Sequence, residues 1–172
     1  MNPAKCRKDN SGYSLVELIT VIAIMAVIIG VVSLSVSLIF SRDAQRSAML
    51  IDDALSETRM LSMSKGGVVK MIIHTKTSTD TAYNTIDIVQ PGSTKTITID
   101  RGVVISLKGS VTSTPGTDIT IEFNKSNGSV LKINGNTDVA NGLYEIESVA
   151  KRGSKTATVI LVANTGRHYT EK

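Results

Sequence analysis

The chain has 172 residues, of which 41% are hydrophobic, 20% charged and only 3% aromatic, with no Trp. A core must therefore come from Val, Ile, Leu and Met, and the aliphatic content with a net charge of only +4 excludes a disordered chain. A single Cys excludes an intramolecular disulfide and a Cys-rich zinc site, and two His add little. Half of the charge excess sits in the first twelve residues, where Lys5, Arg7 and Lys8 oppose Asp9. A nucleic-acid binder concentrates its basic residues on the folded domain instead.

In chain order, the first element is an apolar run from Leu18 to Phe40, 23 residues without a charge. As a helix it is about 35 Å long, enough for a bilayer core of about 30 Å. Lys5, Arg7 and Lys8 on one flank, against Arg42, Asp43 and Arg46 on the other, place the N-terminus in the cytoplasm and the remainder outside. A secretory signal has an apolar stretch of only about 7–15 residues before a small-x-small cleavage site. Ser33-Leu34-Ser35 and Ser35-Val36-Ser37 match such a site weakly, but the run is too long. The run is also preceded by Leu15, Val16 and then Glu17. A carboxylate at the head of a membrane helix is costly, which makes it a functional residue by default.

The stretch Gly12-Tyr13-Ser14-Leu15-Val16-Glu17-Leu18 resembles the class III leader junction of type IV pilins and pseudopilins. Lys5 to Gly12 match the basic leader ending in Gly, Tyr13 stands for the aromatic, and Glu17 is fifth in the mature chain. The resemblance covers residues 5–40. It implies a leader at 1–12, removed after Gly12 by a prepilin peptidase, N-methylation of Tyr13, and a transmembrane and assembly segment at 13–40. There are two departures. No Pro lies near Leu34, where many members carry one, and Tyr13 replaces the commoner Phe.

The same residues have a direct physical logic. Gly12 lets an extended backbone enter a tight protease cleft. Cleavage creates an α-amine on Tyr13, largely protonated near neutral pH, and methylation keeps its charge. Glu17 in apolar surroundings prefers to be neutral unless a cation reaches it. The amine of a neighbouring subunit is a suitable cation, and pairing would fix the register of side-by-side helices, since an unpaired buried charge penalises wrong ones. The alternative is a Glu17 that merely snorkels to the headgroups.

From Arg42 to Ser64 there is no Gly or Pro, and Ala44, Ala48, Ile51, Leu55 and Leu61 recur at helical spacing. This predicts an amphipathic helix at 41–65 that continues the apolar one, covers a sheet and ends at Lys65-Gly66-Gly67. The β-region is 67–172. Strands are expected at 68–74, 83–89, 95–100, 103–107, 118–123, 129–133, 143–149 and 156–163. Asp100-Arg101-Gly102, Ser126-Asn127-Gly128, Asn134-Gly135-Asn136 and Lys151-Arg152-Gly153 suit hairpin turns. The expected fold is α+β, a long N-terminal helix packed on an antiparallel sheet domain at 41–172, which is also what the pilin fold implies. Two segments, Ile121 to Gly128 and Val159 to Arg167, are similar to ones in H-type minor pseudopilins and related minor pilins. Major pilins often close a C-terminal disulfide; here Cys6 lies in the leader.

No enzyme is expected. His74 at a strand end and His168 in the C-terminal tail read as solvent-facing or hydrogen-bonding residues, and no phosphate loop, nucleophile elbow or metal-ligand spacing is present. No cofactor is implied. Asp80, Asp87, Asp100, Asp118 and Asp138 are loop carboxylates without EF-hand order. DNA as a partner rests only on the basic turn Lys151, Arg152 and Lys155, and the lack of stacking aromatics nearby favours a solvated hairpin tip. The resemblance implies a structural subunit, minor in type, of a type IV pilus or type II secretion pseudopilus. Its partners would be other pilin or pseudopilin subunits, the prepilin peptidase, the membrane, and an assembly platform with its ATPase. It would sit in the inner or cytoplasmic membrane before assembly, and at the cell surface or in the periplasm afterwards. The alternative is a single-pass anchored β-domain that binds ligands and never polymerises.

Overall fold

The structure is a computed structural model that describes residues 14–139, 142–151 and 155–171, and the side chains of 31–41 lie outside the description. Gly12, Tyr13 and the whole leader with Cys6 also lie outside it, as does Arg152. The chain divides into two units, 1–36 and 37–172. The boundary falls inside one helix, α1 (Leu15–Ser64).

In the first unit α1 opens with the Leu18 amide donating to the Ser14 carbonyl at 3.1 Å. The Thr20 hydroxyl donates to the carbonyls of Val16 and Glu17, both at 2.9 Å, so it needs no partner outside the helix. Among the described residues no helix is long and apolar enough to cross a membrane. The second half of the apolar run, up to Phe40, falls on side chains outside that description.

In the second unit α1 buries Ala44, Ala48, Ile51, Leu55, Thr58 and Ser62, steps of four and three that make one stripe. The predicted contacts Ala44, Ala48, Ile51 and Leu55 are thus in the core, and Leu61 is partly buried against it. Most of the stripe is small, which lets the helix lie close to its cover. Its hydroxyls are satisfied within α1: Thr58 donates to the Ala54 carbonyl at 2.7 Å and Ser62 to that of Arg59 at 2.8 Å. The helix ends where predicted. The Lys65 amide donates to Leu61 O, and Gly67 takes φ +101°, where a Cβ would overlap the ring of Pro91.

The β-region differs from the single sheet expected. Among the described residues nine strands form two antiparallel sheets. Those of the first are β1 (Lys70–His74), β2 (Asn84–Gln90), β3 (Ser93–Ile99), β5 (Ile119–Phe123) and β6 (Val130–Ile133), ordered β3-β2-β1-β5-β6. The second holds β4 (Val103–Lys108), β7 (Leu143–Ala150), β8 (Thr156–Val162) and β9 (Arg167–Glu171), ordered β4-β7-β8-β9. Their inner faces, with Met71, Ile73, Ile86 and Ile121 from one and Ile105, Leu107, Ile146 and Leu161 from the other, share one core with α1.

Two of the four turns predicted as hairpins do close one: 126–128 joins β5 to β6, and Lys151 begins the turn from β7 to β8. Asp100-Arg101-Gly102 instead carries the chain from β3 in one sheet to β4 in the other, and Asn134-Gly135-Asn136 folds back only to an isolated Ile133–Asn136 bridge. A turn residue fixes a local reversal; long-range packing decides which edge the next strand joins. At the β3–β4 crossing, buried Asn84 supplies the adhesive, donating to the carbonyls of Asp100 and Val103 and accepting from the Lys76 amide.

Candidate functional site

The described part of the predicted junction begins at Ser14, and Glu17 lies exposed in the first turn of α1. An acidic side chain there faces the positive end of the helix dipole. Around it the helix is apolar on every side. Leu15, Val16, Leu18, Ile19 and the large aliphatic residues on to Ile29 are all between 52% and 73% exposed. Burying one such side chain is worth about 1.5–3 kcal/mol. The eleven from Leu15 to Ile29, already partly covered by the helix itself, therefore hold on the order of 10–20 kcal/mol for any apolar surface that buries them. Glu17 is the one ionisable group among residues 14–30.

The two segments similar to H-type subunits come together at the other end of the second unit. The Arg59 guanidinium on α1 donates from Nε to Gly128 O and from Nη2 to Thr165 O, both at 3.0 Å. It joins the β5–β6 turn to the β8–β9 turn. Gly128 and Gly166 have φ of 68° and 65°, and a Cβ on Gly166 would overlap the Gly128 carbonyl oxygen. The Val130 amide donates to Ala163 O at 2.8 Å beside them, linking the sheets. These segments thus do structural work, and Arg59 is their common partner.

His168 is not in a tail: it lies on β9, with its Nδ1 3.1 Å from Gly166 O and its Nε2 2.7 Å from Ser56 Oγ. A carbonyl only accepts, so Nδ1 donates to Gly166 O, and Nε2 shares a hydrogen bond with the Ser56 hydroxyl. The bond ties α1 to the edge of the second sheet, as Glu57–Lys95 at 2.6 Å ties it to β3 of the first. His74 ends β1 with its ring between Asp118, at 2.8 Å, and Asp87, at 3.3 Å. Both His are thus accounted for by hydrogen bonding. Among the described residues no three His, Cys, Asp or Glu side chains are grouped as metal ligands. Near the start of the unit, Asp43 on α1 has its carboxyl pushed up from the ordinary value, first by burial, then by the Asp100 carboxylate, against the pull of Arg46. Lys151 shares a recess with Arg101, whose guanidinium carbon is 5.3 Å from the centroid of the Tyr83 ring.

The family described as prokaryotic N-terminal methylation motif matches residues 7–33. That span contains Gly12, Tyr13 and Glu17 and runs into the apolar part of α1. No curated protein and no solved structure matches the chain. The chain carries an N-terminal methylation motif where the junction was read, which supports a class III prepilin leader and, with it, a type IV pilin-like or pseudopilin protein.

Proposed function

We propose that the protein is a structural subunit, minor in type, of a type IV pilus or a type II secretion pseudopilus. A prepilin peptidase cuts after Gly12, Tyr13 becomes the N-methylated first residue, and residues 13–40 cross the membrane with the N-terminus in the cytoplasm. The subunit then assembles with other pilins or pseudopilins, driven by an assembly platform and its ATPase. Glu17 takes the protonated amine of an adjacent subunit as its partner. The domain at 41–172 is displayed on the other side as a binding or structural surface, without catalysis.

The observation that carries this reading is the methylation motif at 7–33. The burial pattern supports it: α1 is exposed and apolar all round at Leu15–Ile29, then buried on one stripe from Ala44 to Ser62. The meeting of Ile121–Gly128 and Val159–Arg167 on Arg59 supports an H-type minor subunit, since the two segments that carry that resemblance form one structural unit. Intact-mass measurement of the protein extracted from membranes tests the reading. A chain that starts at methylated Tyr13 is the expected result. An uncleaved chain refutes it in favour of a plain membrane anchor.

A further inference from the structure

We infer that a recess at the Asp43 end of the second unit binds a phosphate-bearing anion, and that its source is the headgroup of an anionic phospholipid. The inference rests on the membrane reading above. The recess has a volume of about 490 Å³ and takes Ser78, Thr79, Asp80 and Thr81 from the β1–β2 loop, Arg101 from the β3–β4 crossing, and Lys151 after β7. Three separate loops therefore converge, and they are fastened to each other. The Lys151 amide donates to Gly102 O at 2.8 Å, and its Nζ donates to Asp80 O at 2.7 Å.

The chemistry favours an anion. The Arg101 guanidinium carbon lies 5.3 Å from the centroid of the Tyr83 ring, and a guanidinium carries five N–H donors that suit a phosphate. Lys151 has three donors and spends one on Asp80 O. Three hydroxyls line the same recess. Asp80, which lines the recess, already accepts from the Ala82 amide at 3.1 Å, and the carboxylates of Asp43 and Asp100 lie behind Gly102, 3.1 and 3.8 Å from where a Cβ on it would be.

The position selects the source. Gly102, which also lines the recess, lies against Asp43; a Cβ on it would be 3.1 Å from Asp43 Oδ2. Asp43 follows Phe40, the last residue of the apolar run, by three residues of continuous helix, about 4.5 Å along its axis. The headgroup layer of one leaflet is roughly 5–8 Å deep. A helix that leaves the hydrocarbon near Phe40 thus brings the recess to the depth of the lipid phosphates. Exposed Arg42 and Arg46 stand at the same level of α1. Two cations beside an anionic surface shift a docking equilibrium by roughly 30-fold.

The test is hydrogen exchange of the mature full chain in nanodiscs of phosphatidylcholine, with and without phosphatidylglycerol. Amides of 78–81 and 101–102 should exchange at least about tenfold more slowly with phosphatidylglycerol. The double variant Arg101→Gln, Lys151→Gln should abolish the difference while leaving the exchange of β7 core amides unchanged. Equal exchange in both discs overturns the lipid site. Full protection by millimolar inorganic phosphate in phosphatidylcholine discs overturns the lipid source in favour of a free anion. Protection by duplex DNA alone overturns it in favour of nucleic acid. A chain that inserts into neither disc refutes the membrane reading, and the phosphate titration then still reads the recess.

Discussion

Gly166→Ala probes the contact that joins the two sheets to α1. At φ 65° an alanine costs about 1–2 kcal/mol more than glycine. Its Cβ would also overlap the Gly128 carbonyl oxygen, and no rotamer relieves a clash between backbone-fixed atoms. The turns at 128 and 166 must separate. That stretches the bonds from Arg59 to Gly128 O and Thr165 O, now both at 3.0 Å, and each bond from a charged donor is worth about 1.5–3 kcal/mol. Part of this returns through solvation of the freed groups, which leaves a total of about 3–5 kcal/mol. The assay is urea unfolding of residues 41–172, a fragment that keeps the buried stripe of α1 and should be soluble and monomeric. Gly92→Ala is the control. Gly92 has φ 83° with nothing within 4 Å of a Cβ, so it should lose only the conformational part, about 1–2 kcal/mol. Equal losses at Gly166 and Gly92 would refute the packing argument and return the H-type segments to ordinary hairpins.

Gly12→Val should leave the leader attached, because a branched side chain obstructs an extended fit in the peptidase; normal cleavage of this variant, read by intact mass, sinks the class III assignment. Glu17→Val should still be inserted and cleaved, yet its yield in cross-linking to partner pilins should fall at least about tenfold, since breaking one side of a buried pair costs about 3–5 kcal/mol. Wild-type cross-linking would leave Glu17 a snorkelling residue. Asp43→Asn should stabilise the 41–172 fragment at neutral pH. The Asp43 carboxyl is raised in the folded state above 3.8, so the folded chain binds the proton more tightly and ionisation on raising the pH costs stability. The advantage of the amide variant should therefore fade as the pH falls through the raised folded-state value and be gone below about 3.8, and a gain that is constant with pH in urea melts contradicts a carboxyl raised by burial and by the Asp100 carboxylate.

The helix was legible because its signals are local. Spacing at Ala44, Ala48, Ile51 and Leu55 gives the buried face directly, and Gly67 marks the end. The strands were mostly legible through alternation, as in Ile119 to Phe123 with its buried odd positions. β9 was missed because Arg167–Glu171 has no apolar alternation: it is a half-exposed edge held by β8 and by the His168–Ser56 bond. The split into two sheets was missed for a different reason. Asp100-Arg101-Gly102 has the composition of a hairpin, and what sends the chain across is Asn84, sixteen residues away, bonded to the Asp100 carbonyl. Sequence-local chemistry identifies the reversal, but its destination is set by a buried amide elsewhere. Arg59 was legible as polar and illegible as a clamp on the same grounds, since its acceptors Gly128 O and Thr165 O are 69 and 106 residues away.

The functional boundary of this chain is equally hard to see in secondary structure, because it falls inside α1. The helix runs from Leu15 to Ser64. What changes along it is the side-chain face: every direction is apolar and exposed at Leu15–Ile29, whereas a single small-residue stripe is buried at Ala44–Ser62. The small residues matter physically, because Ala and Ser let the sheets approach the backbone. Truncation at residue 40 removes the apolar run without uncovering the core, whose helix residues begin at Ala44. Truncation at Ser64 strips Ala44, Ala48, Ile51 and Leu55 from a core they share with both sheets, together with the Arg59 clamp. One helix thus carries two side-chain patterns, apolar and exposed at Leu15–Ile29 and buried on one stripe at Ala44–Ser62.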